Sequence, residues 1–134
     1  MGLESQVYAQ LAATSAVTDA VVARIYRFQR ARGSALPCVA FQRVTSNVSN
    51  HSTGATTTKR CTFQVDSYAS DLDTVRTVAD AVETALSGWS NTGGTPSISM
   101  SHLQSDIDIP PEPEHGTDAP LFRISQDYEL WYGV

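Results

Sequence analysis

Within SDLDTVRTVADAVETALSG, residues 70–88, positions 71–87 read as one amphipathic helix, and the rest of the chain can be placed around it. Leu72, Val75, Val78, Ala79, Val82, Ala85 and Leu86 fall on a single stripe at the helical period. Ser70 can cap the first turn, Asp71 and Asp73 suit the positive end of the helix dipole, and Gly88 stands where a helix stops. A helix with one apolar stripe needs a surface to bury it, so strands are expected on both sides of it in the sequence.

Upstream, Lys59 to Tyr68 places Cys61, Phe63 and Val65 on one face of a strand and Thr62, Gln64 and Asp66 on the other. Before it, Pro37 to Val44 forms a second strand, with Val39 and Phe41 sharing a face. Pro37 can only begin that strand, and Gly33-Ser34 makes the turn leading into it. The segment 46–58, SNVSNHSTGATTT, is polar, small and rich in turn formers, as expected of a long hairpin tip. If Val39 and Phe41 share the core face with Phe63 and Val65, Cys61 joins them and Cys38 points the other way. A one-residue slip would flip the whole apolar set, so a Cys38–Cys61 disulfide is disfavoured. Further upstream, Arg24 to Phe28 alternates basic and apolar residues as a short strand. Leu3, Val7, Tyr8 and Leu11 predict a helix over 3–13, followed by a short turn through Val17–Val21.

Downstream, Gly93-Gly94 marks a turn, and Ile98 and Met100 alternate with Ser97, Ser99 and Ser101 as a strand. The acidic segment DIDIPPEPEHGTDAP, 106–120, carries four of the six prolines and is expected to be a loop. Phe122, Ile124, Tyr128, Leu130 and Tyr132 then alternate with polar residues as a half-buried strand. This order predicts an α+β fold: a mainly antiparallel sheet of about five strands, with an N-terminal helix and one long amphipathic helix packed on it. A chain of 134 residues suits one domain over 1–134.

Charge narrows the function classes. The net charge of −5 argues against a general nucleic-acid binder, and only 17% of residues are charged, which suggests that partners cover part of the surface. The charge is also polarised. Residues 1–60 hold seven bases against two acids, and residues 61–134 hold two bases against twelve acids. Either folding mixes the halves, or it keeps them apart and copies or partners stack basic face to acidic face. The N-terminus has neither a basic start nor an apolar signal core, and no run is long enough to span a membrane, so a cytoplasmic site of synthesis is expected.

Chemistry finds little support. There is no phosphate-binding glycine loop, no GxSxG, no HExxH and no CxxC, and His51, His102 and His115 are scattered. Asp106, Asp108, Glu112 and Glu114 are the right ligand type for calcium but lack the glycine and spacing of an EF-hand. They read better as an acidic segment that is solvated or meets a basic partner. Arg27, Arg30, Arg32 and Arg43 could bind phosphate, pair with the chain's own acids, or dock an acidic neighbour; docking is the preferred reading. No enzyme activity, metal or cofactor is expected.

The layout also resembles a known family. VYAQLAA in the first helix, ARIY near residue 25, ALPCVAFQRV, TFQVDSYA, DTVRTVADAVETAL and a closing RISQDYELWY together resemble the tail-completion, or tail-terminator, proteins of long-tailed bacteriophages and related particles. The resemblance implies a structural, non-catalytic virion protein of the head–tail joint. Such a protein forms a ring, usually a hexamer, on the last ring of tail-tube protein, ending tail growth at its head-proximal end. It faces a head-completion, stopper or connector protein and lets DNA pass through its lumen without sequence-specific binding. The alternatives are another minor head- or tail-completion subunit, or a small cytoplasmic anion-binding domain.

Overall fold

The computed structural model describes residues 2–29, 35–51, 54–113 and 120–133. Its elements in chain order are α1 (Leu3–Ala13), α2 (Ser15–Val21), β1 (Ile25–Arg27), β2 (Cys38–His51), β3 (Gly54–Ala69), α3 (Leu72–Leu86), β4 (Ser97–Pro113) and β5 (Pro120–Gly133). The strands form one sheet in the order β1-β2-β3-β5-β4. β1 runs parallel to β2, and all other neighbours are antiparallel. The expected α+β fold and its mainly antiparallel sheet are present.

The 71–87 helix forms with small changes at its start. Asp71, not Ser70, is the N-cap: its carboxylate accepts the Thr74 backbone N–H at 2.7 Å and the Thr74 hydroxyl at 2.8 Å. These bonds hold the Asp71 carboxyl below its usual pKa range. Leu72, expected on the buried stripe, is exposed. It sits in the first turn, where the Cα–Cβ bond tilts toward the helix N-terminus and past the packed surface. Gly88, at φ +77°, ends the helix. From Val75 to Leu86 the stripe is buried as expected.

One face of the sheet carries the core. Phe41 pairs with Val65, Phe63 with Tyr128 and Cys61 with Leu130, and these residues meet Leu3, Val7 and Leu11 of α1, Val17 and Val21 of α2, and Val78, Val82 and Leu86 of α3. The Phe41 and Phe63 rings pack at 6.4 Å. A smaller cluster joins Ala69, Val75, Ala79 and Ile124. Tyr8, placed on the α1 stripe by its spacing, lies at the margin of the buried Leu3–Val7–Leu11 line and is exposed. Cys61 faces the helices and Cys38, paired with Tyr68, faces away, so the thiols lie on opposite sides of the sheet.

Three expectations change. First, 106–120 is not a loop throughout: β4 continues to Pro113 and β5 begins at Pro120, with 114–119 outside the described residues. β4 is an edge strand, where a missing proline N–H breaks no ladder bond, and a register shift between Ile109 and Glu112 absorbs Pro110-Pro111. Second, the polar 46–58 segment is the expected long hairpin, but paired strand runs further into it than its turn-rich composition implies, to His51 on one side and from Gly54 on the other. Third, a register shift between Ile98 and Met100 interrupts the alternation of that strand, burying Ile98 and Ser101 and leaving Met100 exposed. The expected turn at Gly33-Ser34 lies outside the described residues.

The long strands outrun the core at both ends. Among the described residues β3 last pairs with β5 at Thr58↔Gly133, and beyond it the pairs are between β2 and β3. At the opposite end β3 stops at Ala69↔Phe122, and β4 and β5 continue alone through Glu112↔Leu121 and Pro113↔Pro120. Two hairpin arms therefore leave opposite ends of the sheet.

A strained turn separates α2 from β1. Val22 has φ 59° and ψ −111°, and Arg24 N–H bonds the Val21 carbonyl at 3.0 Å, which makes Val22 the first central residue of a type II′ turn. That position favours glycine, a β-branched residue there is strained, and the Val22 side chain is 60% exposed. Val22→Gly is expected to raise stability by about 0.5–1 kcal/mol, the relieved strain exceeding the added unfolded-state entropy of glycine. Chemical denaturation of both proteins checks this; a loss of stability would show that Val22 packs on something that matters.

Candidate assembly interface

Sheet order decides where the two halves of the charge go. β1 and β2 come from the basic half, β3 straddles the boundary at residue 60, and β5 and β4 come from the acidic half, so one edge of the sheet is lined by Arg24 and Arg27 and the other by Asp106, Asp108 and Glu112. Arg43 pairs with Glu4 inside the first half, and Arg76 and Arg123 pair with acids inside the second. Across the sheet the halves stay apart.

The arginines do different work. Arg24 donates its Nε–H to the Pro37 carbonyl at 2.7 Å, locking the start of β2 beside β1. Arg43 donates to Glu4 Oε1 at 2.6 Å. Burial works against the Glu4 carboxylate, but its backbone N–H and Arg43 outweigh it, and Arg27 adds to the positive field, so its pKa falls below the usual range. Arg27 is exposed at the end of β1 and lines a groove with Glu4, Phe28, Phe41, Gln42 and Arg43. Arg30 and Arg32 lie outside the described residues.

On the opposite edge, Asp106 and Asp108 are held by a side chain the sequence reading had not linked to them. Arg76 of α3 donates to both oxygens of Asp106, at 2.9 and 3.2 Å, and to Asp108 Oδ1 at 2.8 Å, with Asp80 of the same helix at 3.7 Å. The Arg76 bond, opposed by burial and aided by Gln126, holds the Asp106 carboxyl below its usual range. One guanidinium thus meets three carboxylates, and the edge stays acidic. Glu112 is exposed in the β4–β5 arm beside Ile109 and Leu121. Glu114 lies outside the described residues.

Gln126 went unnoticed because it occupies a core position in the alternation of β5. It is fully buried, donates to the Ala79 carbonyl at 3.2 Å and to Asp106 at 3.1 Å, and accepts the Tyr128 hydroxyl at 3.1 Å. This amide ties α3, β5 and the acidic edge into one unit.

The sheet face opposite the helices is polar. There Arg123 pairs with Asp66 at 3.0 Å and lies over Tyr68, Arg60 lies over Trp131, and the Trp131 indole donates to Glu129.

The family described as tail completion protein gp17 matches residues 5–133. The chain belongs to that family. Among solved structures, a chain from the virion of a native gene transfer agent particle shares the fold of this tail-completion chain, with a TM-score of 0.69 at 17% identity over 98% of this chain and 95% of that one. No curated protein matches the sequence.

The tail-completion chain is a structural component of a phage-like particle, the coarse role foreseen for it. Among the described residues no cluster of His, Cys, Asp or Glu is placed to hold a metal ion, and no helix is long and apolar enough to cross a membrane. Burial pushes the Cys61 thiol up to about 11, and Cys38 is also fully buried. A thiol reagent at pH 8 is therefore expected to label neither cysteine of the folded tail-completion chain and both after denaturation. Rapid labelling without denaturant would contradict the burial.

Proposed function

We propose that this chain forms a hexameric ring that caps the tail tube, ends tube polymerisation and presents the tail side of the head–tail joint. Residues 1–134 act as one domain, without catalysis or a cofactor. The ring sits at the head-proximal end of the tail, assembled in the host cytoplasm, with the major tail-tube protein on one side and a head-completion, stopper or connector protein on the other.

The observation that carries this reading is the pair of hairpin arms at opposite ends of the sheet. A two-stranded ribbon beyond its core is marginal on its own, so each arm gains most by packing on another protein. Opposed arms give one subunit a reach in both axial directions, as a ring held between two other rings requires. The occurrence of this fold in a gene transfer agent virion agrees with a place in a particle. The polar face, where Asp66, Asp127 and Glu129 outnumber Arg60 and Arg123, suits a lumen through which DNA passes without sticking. An anion-binding domain finds less support, because Arg24 and Arg43 are engaged by a carbonyl and a carboxylate.

The test is the solution mass by light scattering, alone and with the tail-tube protein of the same particle, together with tube length by electron microscopy. A ring-sized mass and tubes of limited length are expected. A monomer in both conditions, with tubes growing unchecked, overturns the proposal.

A further inference from the structure

The basic edge of the sheet ends in an unusual residue. Phe28 is 73% exposed, has φ 72°, and is held there by its N–H to the Phe41 carbonyl at 2.7 Å. A bulky side chain in the left-handed region is costly, and among the described residues of the single subunit no burial offsets that cost. Beside it, Arg27, Glu4, Phe41, Gln42 and Arg43 line a groove of about 260 Å³. That is below the roughly 300–1,000 Å³ typical of small-molecule sites, and it suits one or two side chains of another protein.

The opposite edge carries the complement. Asp108, with its side chain 67% exposed, stands on β4 beside Asp106 and Arg76, and Ile107 of the same strand is exposed. By register, Asp106 and Asp108 sit on the helix-bearing face, paired with Gln126 and Ile124, as Arg27 does opposite Phe41. The two charged sets therefore occupy the same face at opposite edges. Four strand spacings of about 4.8 Å put them roughly 19 Å apart. The Debye length at physiological salt is about 8 Å, so they cannot neutralise each other within one subunit. They can meet only between copies.

We infer that the Arg27–Phe28 groove at the β1 edge of one subunit receives the Asp108-bearing β4 edge of the next copy, and that this heterologous contact closes the ring. The inference rests on the ring reading and adds which edges meet. The same patch is not used twice, so the contact repeats head to tail around an axis and leaves the hairpin arms pointing along it. Arg27 faces Asp108 and its acidic neighbours, and Phe28 buries its ring against the apolar part of that edge.

Charge reversal with compensation tests this. Arg27→Glu and Asp108→Arg, each made in the full chain, are expected to raise the protein concentration needed for half-assembly at least tenfold, and the double variant to recover most of that loss. Assembly of the unmodified protein should weaken as salt rises. Phe28→Gly separates assembly from folding: relieving the positive φ should raise the thermal midpoint of the subunit while assembly weakens. If the unmodified protein forms rings and the single reversals do so equally well, or the double variant recovers nothing, the edge contact is wrong and the ring reading stands. If the unmodified protein forms no ring with its tube protein, both fail together.

Discussion

Gln126→Glu is expected to cost the fold about 3–5 kcal/mol at pH 7 and much less near pH 4. The amide it replaces is fully buried and uses both ends: its NH2 bonds the Ala79 carbonyl and Asp106, and its oxygen accepts from Tyr128. A carboxylate keeps only the Tyr128 bond and sets a second negative charge against Asp106, which Arg76 keeps ionised. Burial and like charge both raise the folded-state pKa of the introduced carboxyl above its unfolded value of about 4.3. The charge part of the penalty is therefore absent below about pH 4 and grows as pH rises from there, leaving at low pH only the loss of one of the two amide donor bonds. Urea unfolding at both pH values, beside the unmodified protein, measures it, and a difference that does not vary with pH would mean that the site is wetter than its burial implies.

Gln126→Leu isolates the other half of the role. It introduces no charge but leaves the buried Tyr128 hydroxyl without its acceptor, a loss of about 1–3 kcal/mol. Adding Tyr128→Phe removes the orphaned hydroxyl and should recover part of that loss. Failure to recover would place the cost in the Ala79 and Asp106 bonds instead.

Local pattern was legible where burial follows a simple period. The stripe from Val75 to Leu86, the Phe63–Val65 strand and the period-two burial from Ile124 to Tyr132 all came through, because each buries one face without a register shift. Reading weakened wherever a register shift or an edge changed the rule. Pro110, Pro111 and Pro113 argue for a loop when counted locally and are tolerated in a strand only because β4 has no outer neighbour, a fact about sheet order. Met100 reads as core until the shift beside Ile98 turns it outward.

The candidate surface was legible in composition but not in connection. The basic and acidic halves are visible in the chain, yet that they become opposite edges follows from β3 pairing with β5, which no local signal reports. Arg76 and Asp106 are 30 residues apart and look like two unrelated surface charges. Gln126 looks like a break in an apolar alternation. Its burial becomes intelligible only when the helix carbonyl, the aspartate and the tyrosine are all brought to it.

Arg76→Met is expected to destabilise the subunit by about 1–2 kcal/mol at pH 7, the worth of charge-assisted hydrogen bonds reduced by solvent screening at a cluster that is partly exposed. Its guanidinium binds both oxygens of Asp106, whose side chain is 25% exposed, and one of Asp108, and without it three carboxylates crowd together. The pH dependence differs from that of Gln126→Glu. Asp106 has a depressed folded-state pKa, so the stability it gains from Arg76 is fully present above the unfolded value of about 3.9 and is lost as pH falls through the lower folded value. Between pH 7 and pH 4 the Arg76→Met penalty should hold steady while the Gln126→Glu penalty shrinks; only below pH 4 should the first decline. The same substitution makes the β4 edge more acidic by one charge. If that edge meets Arg27 of a second copy, assembly of the folded variant should become more sensitive to salt even as the subunit itself weakens, because the lost clamp acts within one chain and the added charge acts between two. A variant whose assembly shows unchanged salt dependence would separate the acidic edge from the contact and leave Arg76 with a purely internal role.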